Sequence, residues 1–278
     1  MNSVPAQAGH ETGWRAQLRL QFAARDGRTF LPVRRHQGPL LVQRVFHPEG
    51  GPCHAYIVHP PGGIVGGDEL QLDIDVEQGA HALLTTPAAT KFYRSDSRFA
   101  HQLQALTLRQ STLEWLPQET IFYRGAHVAS ETRIDLDRQS RFIGWEIPCL
   151  GLPARGEAFE HGQLRLNLEL WCEGVPLVID RMRLDGEGDA RLARWGLNGF
   201  EAVGTLLAYP ADRAAVELAR SVNSSEVELA VTLVDGVLIC RAVAAQAEPV
   251  KTLFIELWRR LRPHLLGRPA ALPRIWAT

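Results

Sequence analysis

Four carboxylates, Asp68, Glu119, Glu146 and Asp180, are the candidate acids of this chain. Two acids at a fixed separation can work as acid and base in glycoside hydrolysis. Asp, Glu and His can also coordinate a divalent metal transiently, with no compact motif. Acids as common as these are usually surface residues, so residue type alone does not choose. His47, His54 and His59 are close in sequence, but their spacing fits no compact metal motif. Each reads as a strand-surface or packing histidine. No GxSxG, HExxH or cysteine–histidine signature occurs.

A second kind of chemistry is suggested by HPPGGIVGGD at 59–68, with Gly62, Gly63, Gly66 and Gly67. A phosphate cradle needs a helix N-terminus after its glycines. Here Asp68 and a period-two pattern follow instead, which points to a strand connection with close backbone approach. Two Gly-Gly pairs around Ile64-Val65 exceed what a plain hairpin needs, so a shaped rim facing a partner is a further reading. In TTPAATKFYRSD (85–96), Lys91, Tyr93 and Arg94 form a basic and aromatic cluster able to hold an anion or an acidic partner. LEWLPQETIFYRGA (113–126) and GWEIPCLGLPARGEAFEHG (144–162) are also unusual in their proline and glycine content.

The elements that must position these residues are mostly strands. In ELQLDIDVEQG, Leu70, Leu72, Ile74 and Val76 alternate with polar residues, the period of a half-buried strand. QLRLQFAA (17–24) and GQLRLNLELW (162–171) repeat it, and shorter runs recur with turn signals about every ten residues. The expectation is a mainly antiparallel, many-stranded β fold, with spacing that also suits stacked coils. Two segments have helical periodicity, 210–222 and 249–267. In the second, Leu253, Phe254, Leu257, Trp258 and Leu261 form one stripe, with Arg259, Arg260 and Arg262 elsewhere, Pro249 at its start and Pro263 as its limit. A hairpin turning at Asp235-Gly236 separates them.

Of the 278 residues, 45% are hydrophobic and 22% charged, which excludes a disordered chain. The net charge of -1 gives no nucleic-acid footprint. No apolar run is long enough for a membrane helix, and the polar N-terminus lacks the core of a signal peptide. Cys53, Cys149, Cys172 and Cys240 form no CxxC pair and read as reduced, buried cysteines of a cytoplasmic protein. A flexible arm is expected at residues 1–13, ahead of a single β-rich domain at 14–278.

HPPGGIVGGD, TTPAATKFYRS, LEWLPQETI, LGLPARGEAF and PLVIDRMRL, in that order, resemble the urease accessory protein family UreD, called UreH in some organisms. The likeness runs over most of the chain, from Gln17 to Leu184. It implies a β-helix-like, stacked-strand fold with two α-helices in the C-terminal part. It implies a non-catalytic maturation factor, a nickel-insertion chaperone. With UreF and the GTPase UreG, such a factor docks on urease apoprotein and supports GTP-dependent assembly of the nickel metallocentre. UreE is the implied nickel donor. No cofactor is held stably; Ni(II) is in transit. An internal passage is implied, and Asp68, Glu119, Glu146 and Asp180 are the candidates for its lining or mouth. Gly62, Gly63, Gly66, Gly67, Lys91, Tyr93 and Arg94 are candidates for a functional edge. Trp258, Arg259 and Arg260 lie on a helix that either packs on the chain's own sheet or meets UreF. The competing readings are a β-rich carbohydrate-active hydrolase with paired carboxylates, and a β-sheet module binding another protein.

Overall fold

The computed structural model describes residues 13–277. Apart from Gly13, the arm expected at 1–13 lies outside the described residues. The chain runs through β1 (Arg15–Arg25), β2 (Arg28–Gln37), β3 (Leu41–Phe46), β4 (Cys53–Val58), β5 (Glu69–Val76) and β6 (His81–Thr85). It continues as β7 (Thr90–Phe92), β8 (Ala100–Leu108), β9 (Thr112–Leu116), β10 (Thr120–Phe122), β11 (His127–Leu136) and β12 (Arg141–Glu146). Then come β13 (Pro148–Leu150), β14 (Gln163–Cys172), β15 (Val175–Asp185) and β16 (Ala202–Tyr209). Helix α1 (Arg213–Arg220), the hairpin β17 (Glu228–Val234) and β18 (Val237–Ala244), and helix α2 (Ala247–Leu266) follow.

The strands stack as coils. β5, β8, β11 and β14 pair in parallel along one side, joined in parallel by β1. β4, β6, β9 and β12 pair in parallel along the second side. The short β7, β10 and β13 make a third. Successive turns therefore read β5-β6-β7, β8-β9-β10 and β11-β12-β13. The mainly β expectation with stacked strands and two helices holds, but the expected antiparallel pairing does not. Alternation reports which face is buried; it carries no information on strand direction. The step between paired residues also varies, from Thr90–Thr120 to Glu69–His101 to His127–Gln163, so no fixed repeat shows in the sequence. Antiparallel partners close the first sheet at both edges, β2 on β1 and β15 on β14.

Stacking aligns like with like. Leu20, Ile74, Leu106, Ile134 and Leu170 occupy one inward row. Phe92 stacks on Phe122 at 5.3 Å in the third side. Each such buried side chain contributes about 1.5–3 kcal/mol. The first core lies between the two sheets, and a second lies between the back of the second sheet and the helices. The second sheet is buried on both faces, so its strands are nearly continuous in apolar residues.

Helix α2 supplies much of the second core. Leu257, Trp258 and Leu261 are buried on the chain's own sheet. Arg262 is buried with them, although the sequence placed it off the apolar stripe. It donates to Glu114 at 2.9 Å and 3.0 Å, and to Glu49 at 2.8 Å through each of two nitrogens. His81 pairs with Glu114 at 2.7 Å and His54 with Glu49 at 2.8 Å. Pro263 does not stop the helix: it runs to Leu266, where Gly267 at φ 67 ends it. The four cysteines are free and buried, and burial pushes the thiols of Cys53, Cys149 and Cys240 up to about 12.

Candidate functional site

The strands of the second sheet stop at the same corner. β6 ends before Pro87, β9 before Pro117 and β12 before Pro148, and proline cannot continue a central ladder. Behind this corner, between the sheets, lies a cavity of about 300 Å³. His59, Gly62, Gly63 and Lys91 line one part of it, Leu70, Leu72 and Trp115 its wall, and Glu146 another part. A second cavity of about 310 Å³ is lined by Glu146, Pro148 and Leu166 as well, and extends to Asp180, Thr205 and Arg241. Glu146 therefore stands where the two meet.

Glu146 ends β12 with its carboxylate at this junction. Thr132, itself fully buried on β11, donates its hydroxyl to Glu146 Oε1. Burial raises the Glu146 carboxyl to about 7; the Thr132 bond opposes this and the charge of Asp180 adds to it. Asp180 on β15 is held by Arg241 of β18 at 2.9 Å. Histidine 59, also at the cavity, has its proton affinity lowered by burial.

The other two candidate acids have different partners. Asp68 Oδ1 accepts the Trp14 backbone N–H at 2.8 Å, and Oδ2 accepts that of Val65 at 2.9 Å. It ties the glycine loop to the start of β1 and lines neither cavity. Asp68→Ala removes the acceptor of two partly buried donors and is expected to cost about 1 kcal/mol in denaturant unfolding. Glu119 pairs with Lys251 of α2 at 3.2 Å and joins the coil corner to the helix. The four-acid path expected from the sequence thus becomes two acids at the cavities and two in structural ties. Both ties reach residues far away in sequence.

The glycine loop and the Lys91–Arg94 segment lie side by side. Ile64 N–H donates to Lys91 O at 2.8 Å, and Tyr93 N–H donates to Ile64 O at 2.8 Å. Ile64 is buried under this bridge while Val65 is exposed. The ring of Tyr93 lies across Gly63, where a Cβ would fall 1.9 Å from it, and stacks on Tyr123 at 4.8 Å. Gly66 leaves room for Ser95 and Arg98 O in the same way, and Gly67 turns at φ 94. Arg94 packs over Gly125. The glycines thus build a rim beside the first cavity by letting side chains and backbone approach. On α2, Trp258 is fully buried and donates to Glu114 at 2.6 Å. Arg259 faces outward; Arg260 pairs with Glu256 and also reaches Ser221. Trp258 is therefore part of the core, because its indole N–H finds a buried carboxylate there.

Among the described residues no group of three or more His, Cys, Asp and Glu side chains is placed to hold a metal ion. No helix among them is long and apolar enough to cross a membrane. What the cavities offer is a pair of carboxylates, Glu146 and Asp180, behind a glycine-built rim.

Residues 14–277 match the family model described as UreD urease accessory protein. A protein of Alkalilimnicola ehrlichii named urease accessory protein UreD is 44% identical over 283 residues, covering 99% of this chain and 95% of that protein. Proteins of the same name from Pseudomonas entomophila and Escherichia coli are 44% and 42% identical, covering 99% and 96% of this chain. They cover 97% and 98% of those two proteins. With the match running through the coils, the rim and both helices alike, the chain belongs to the UreD urease accessory protein family.

Proposed function

We propose that this chain is a non-catalytic urease maturation factor that carries nickel toward the urease apoprotein through its own interior. Family membership supports the role in maturation, and the meeting of two cavities at Glu146 carries the reading of the interior. A divalent ion passing between the sheets meets one carboxylate at the junction and another, Asp180, beyond it. Isolated oxygen donors bind such an ion weakly, which suits transit; a thiolate or multi-histidine cage would retain it. Glu146, with its carboxyl near 7, exchanges its proton for the ion at neutral pH. The Asp180–Arg241 pair sets a positive charge beside the second acid and disfavours a resident cation there.

In this reading the chain acts in the cytoplasm with UreF and the GTPase UreG, GTP turnover drives assembly on urease, and UreE supplies the nickel. The rim around Gly62–Asp68 and Lys91–Arg94, beside the first cavity, is the entry or exit edge facing one of these proteins. The relatives of this chain are named as accessory proteins of urease, which weighs against the glycoside hydrolase reading. The test is the nickel content and activity of urease co-expressed with its remaining maturation factors, with and without this chain. Nickel-poor, inactive urease only in its absence supports the role, and equal maturation without it refutes the role.

A further inference from the structure

A separate surface lies on the solvent face of the first sheet. Residues Arg183, Arg165, Ala129, His101, Glu69 and Arg15 fall in one row across six strands, matched pair by pair. Most arginines of this face have carboxylate partners. Arg15 pairs with Glu69 at 3.0 Å, Arg19 with Asp75 at 3.6 Å, Arg133 with Asp135 at 2.7 Å and Arg181 with Glu169 at 3.6 Å. Arg35, opposite Arg19 on β2, has no carboxylate partner among the described residues, and Arg165 and Arg183 depart from the pattern together. They stand directly opposite each other, and neither is paired with a carboxylate among the described residues. Arg165 instead lies over Phe99, 4.6 Å from the ring centre. Like charges set opposite in a ladder destabilise it, so the pair is a local cost in the isolated chain.

The short side chain of Ala129 leaves a hollow beside this pair, about 440 Å³, with Leu103 41% exposed at its wall. Glu131 borders the hollow and Glu69 is taken by Arg15, so the arginine pair is in excess at its end. Next to that end, the loop between β15 and β16 presents Leu192 and Trp195, 62% and 77% exposed. Arg183 and Gly196 line one cavity, which sets this loop beside the arginine pair.

We infer that this face docks an extended acidic segment of a partner protein, with carboxylates on Arg165 and Arg183 and an apolar side chain against Trp195. The row spans roughly 24 Å at the usual strand spacing, the reach of about seven extended residues. Acids interspersed along the face, among them Asp73, Asp75 and Glu131, would repel a phosphate backbone but leave room for a peptide with spaced charges. This surface borders the second cavity, which Arg183 also lines, but the docking contacts lie on the outer face of the sheet.

The test uses the full-length chain and a fluorescein-labelled peptide of glutamates with one central leucine, read by fluorescence anisotropy. Arg183→Glu is the informative variant, because it places a carboxylate opposite Arg165. It is expected to weaken binding by about tenfold or more while raising the thermal midpoint. A loss of binding with a gain of stability is not a folding defect. Arg25→Glu, at the far end of β1, makes the same charge change and is expected to leave binding within about twofold. Trp195→Ala is expected to weaken binding with no change in the midpoint. Equal weakening by Arg25→Glu, or undiminished binding by Arg183→Glu, overturns the proposal. So does a single-stranded oligonucleotide that displaces the peptide at lower concentration than unlabelled peptide does, since the face would then be a polyanion site.

Discussion

Arg262→Met is expected to remove about 3–5 kcal/mol of unfolding free energy, the cost of leaving a buried ion pair half-made. Glu114, with no exposed surface, would keep only His81 and the Trp258 indole, and Glu49 only His54. Urea unfolding at pH 7 with an unchanged slope is the measurement; a loss below about 1 kcal/mol would mean that water or a shifted side chain compensates. Adding Glu114→Gln to Arg262→Met is expected to cost less than the sum of the two single changes, because the second removes the charge the first stranded. The acid limb tests the same network. Burial pushes the Glu49 carboxyl up, but the bonds from His54 and Arg262 outweigh it and lower it from 4.5 to about 2. A depressed folded-state value gives stability that is complete above 4.5 and drains as pH falls toward 2. Glu114 is shifted in the same direction. The stability lost between these pH values is therefore expected to be smaller in Arg262→Met than in the parent chain.

Local sequence patterns carry the strands but not this network. The alternation at Leu70–Val76 announced β5 and its buried face, because burial of one face is written locally at period two. Arg262 looked like a third member of a polar group with Arg259 and Arg260. Yet it lies four residues after Trp258, one helical turn along the buried stripe, and that spacing was the available signal. Its partners Glu49 and Glu114 are more than a hundred residues away, and no local pattern pairs them. The same holds for the acids. In the sequence Glu146 and Asp180 stand with Asp68 and Glu119 only as acids of the family-like segments. What separates the four is whether the carboxylate lines a cavity: Glu146 and Asp180 do, whereas Asp68 is spent on the Trp14 N–H and Glu119 on Lys251. The rim was legible in part, since four glycines beside a bulky cluster imply close approach. That Tyr93 fills the space over Gly63 required the parallel stacking of the coils, which turn residues do not encode.

Glu146→Gln separates stability from function by moving them in opposite directions. Burial raises the carboxyl from 4.5 to about 7, so the ionised form is disfavoured in the folded chain. For an acid raised in this way, the penalty is absent below 4.5, grows as pH rises and is complete above 7. The glutamine copies the neutral form and can still accept the Thr132 hydroxyl. The variant is therefore expected to match the parent in unfolding free energy near pH 4 and to exceed it at pH 8. The gain is on the order of 2 kcal/mol, reduced from the full linkage value because the cavity admits water. Transit of a divalent ion should suffer in the same variant. A unit charge about 4 Å from another is worth about 4 kcal/mol at an effective dielectric constant near 20. Removing the carboxylate where the two cavities meet is thus expected to lower the nickel content of co-expressed urease more than tenfold in rate-limited loading. Glu119→Gln, which lies off both cavities and outside the rim, is the comparison and should leave loading near the parent level once protein amounts are matched. A Glu146→Gln chain that is more stable at pH 8 yet matures urease fully would place the ion's route elsewhere. A chain that is more stable and fails to load nickel would tie the buried charge to transit, because a folding defect cannot produce that pair of results.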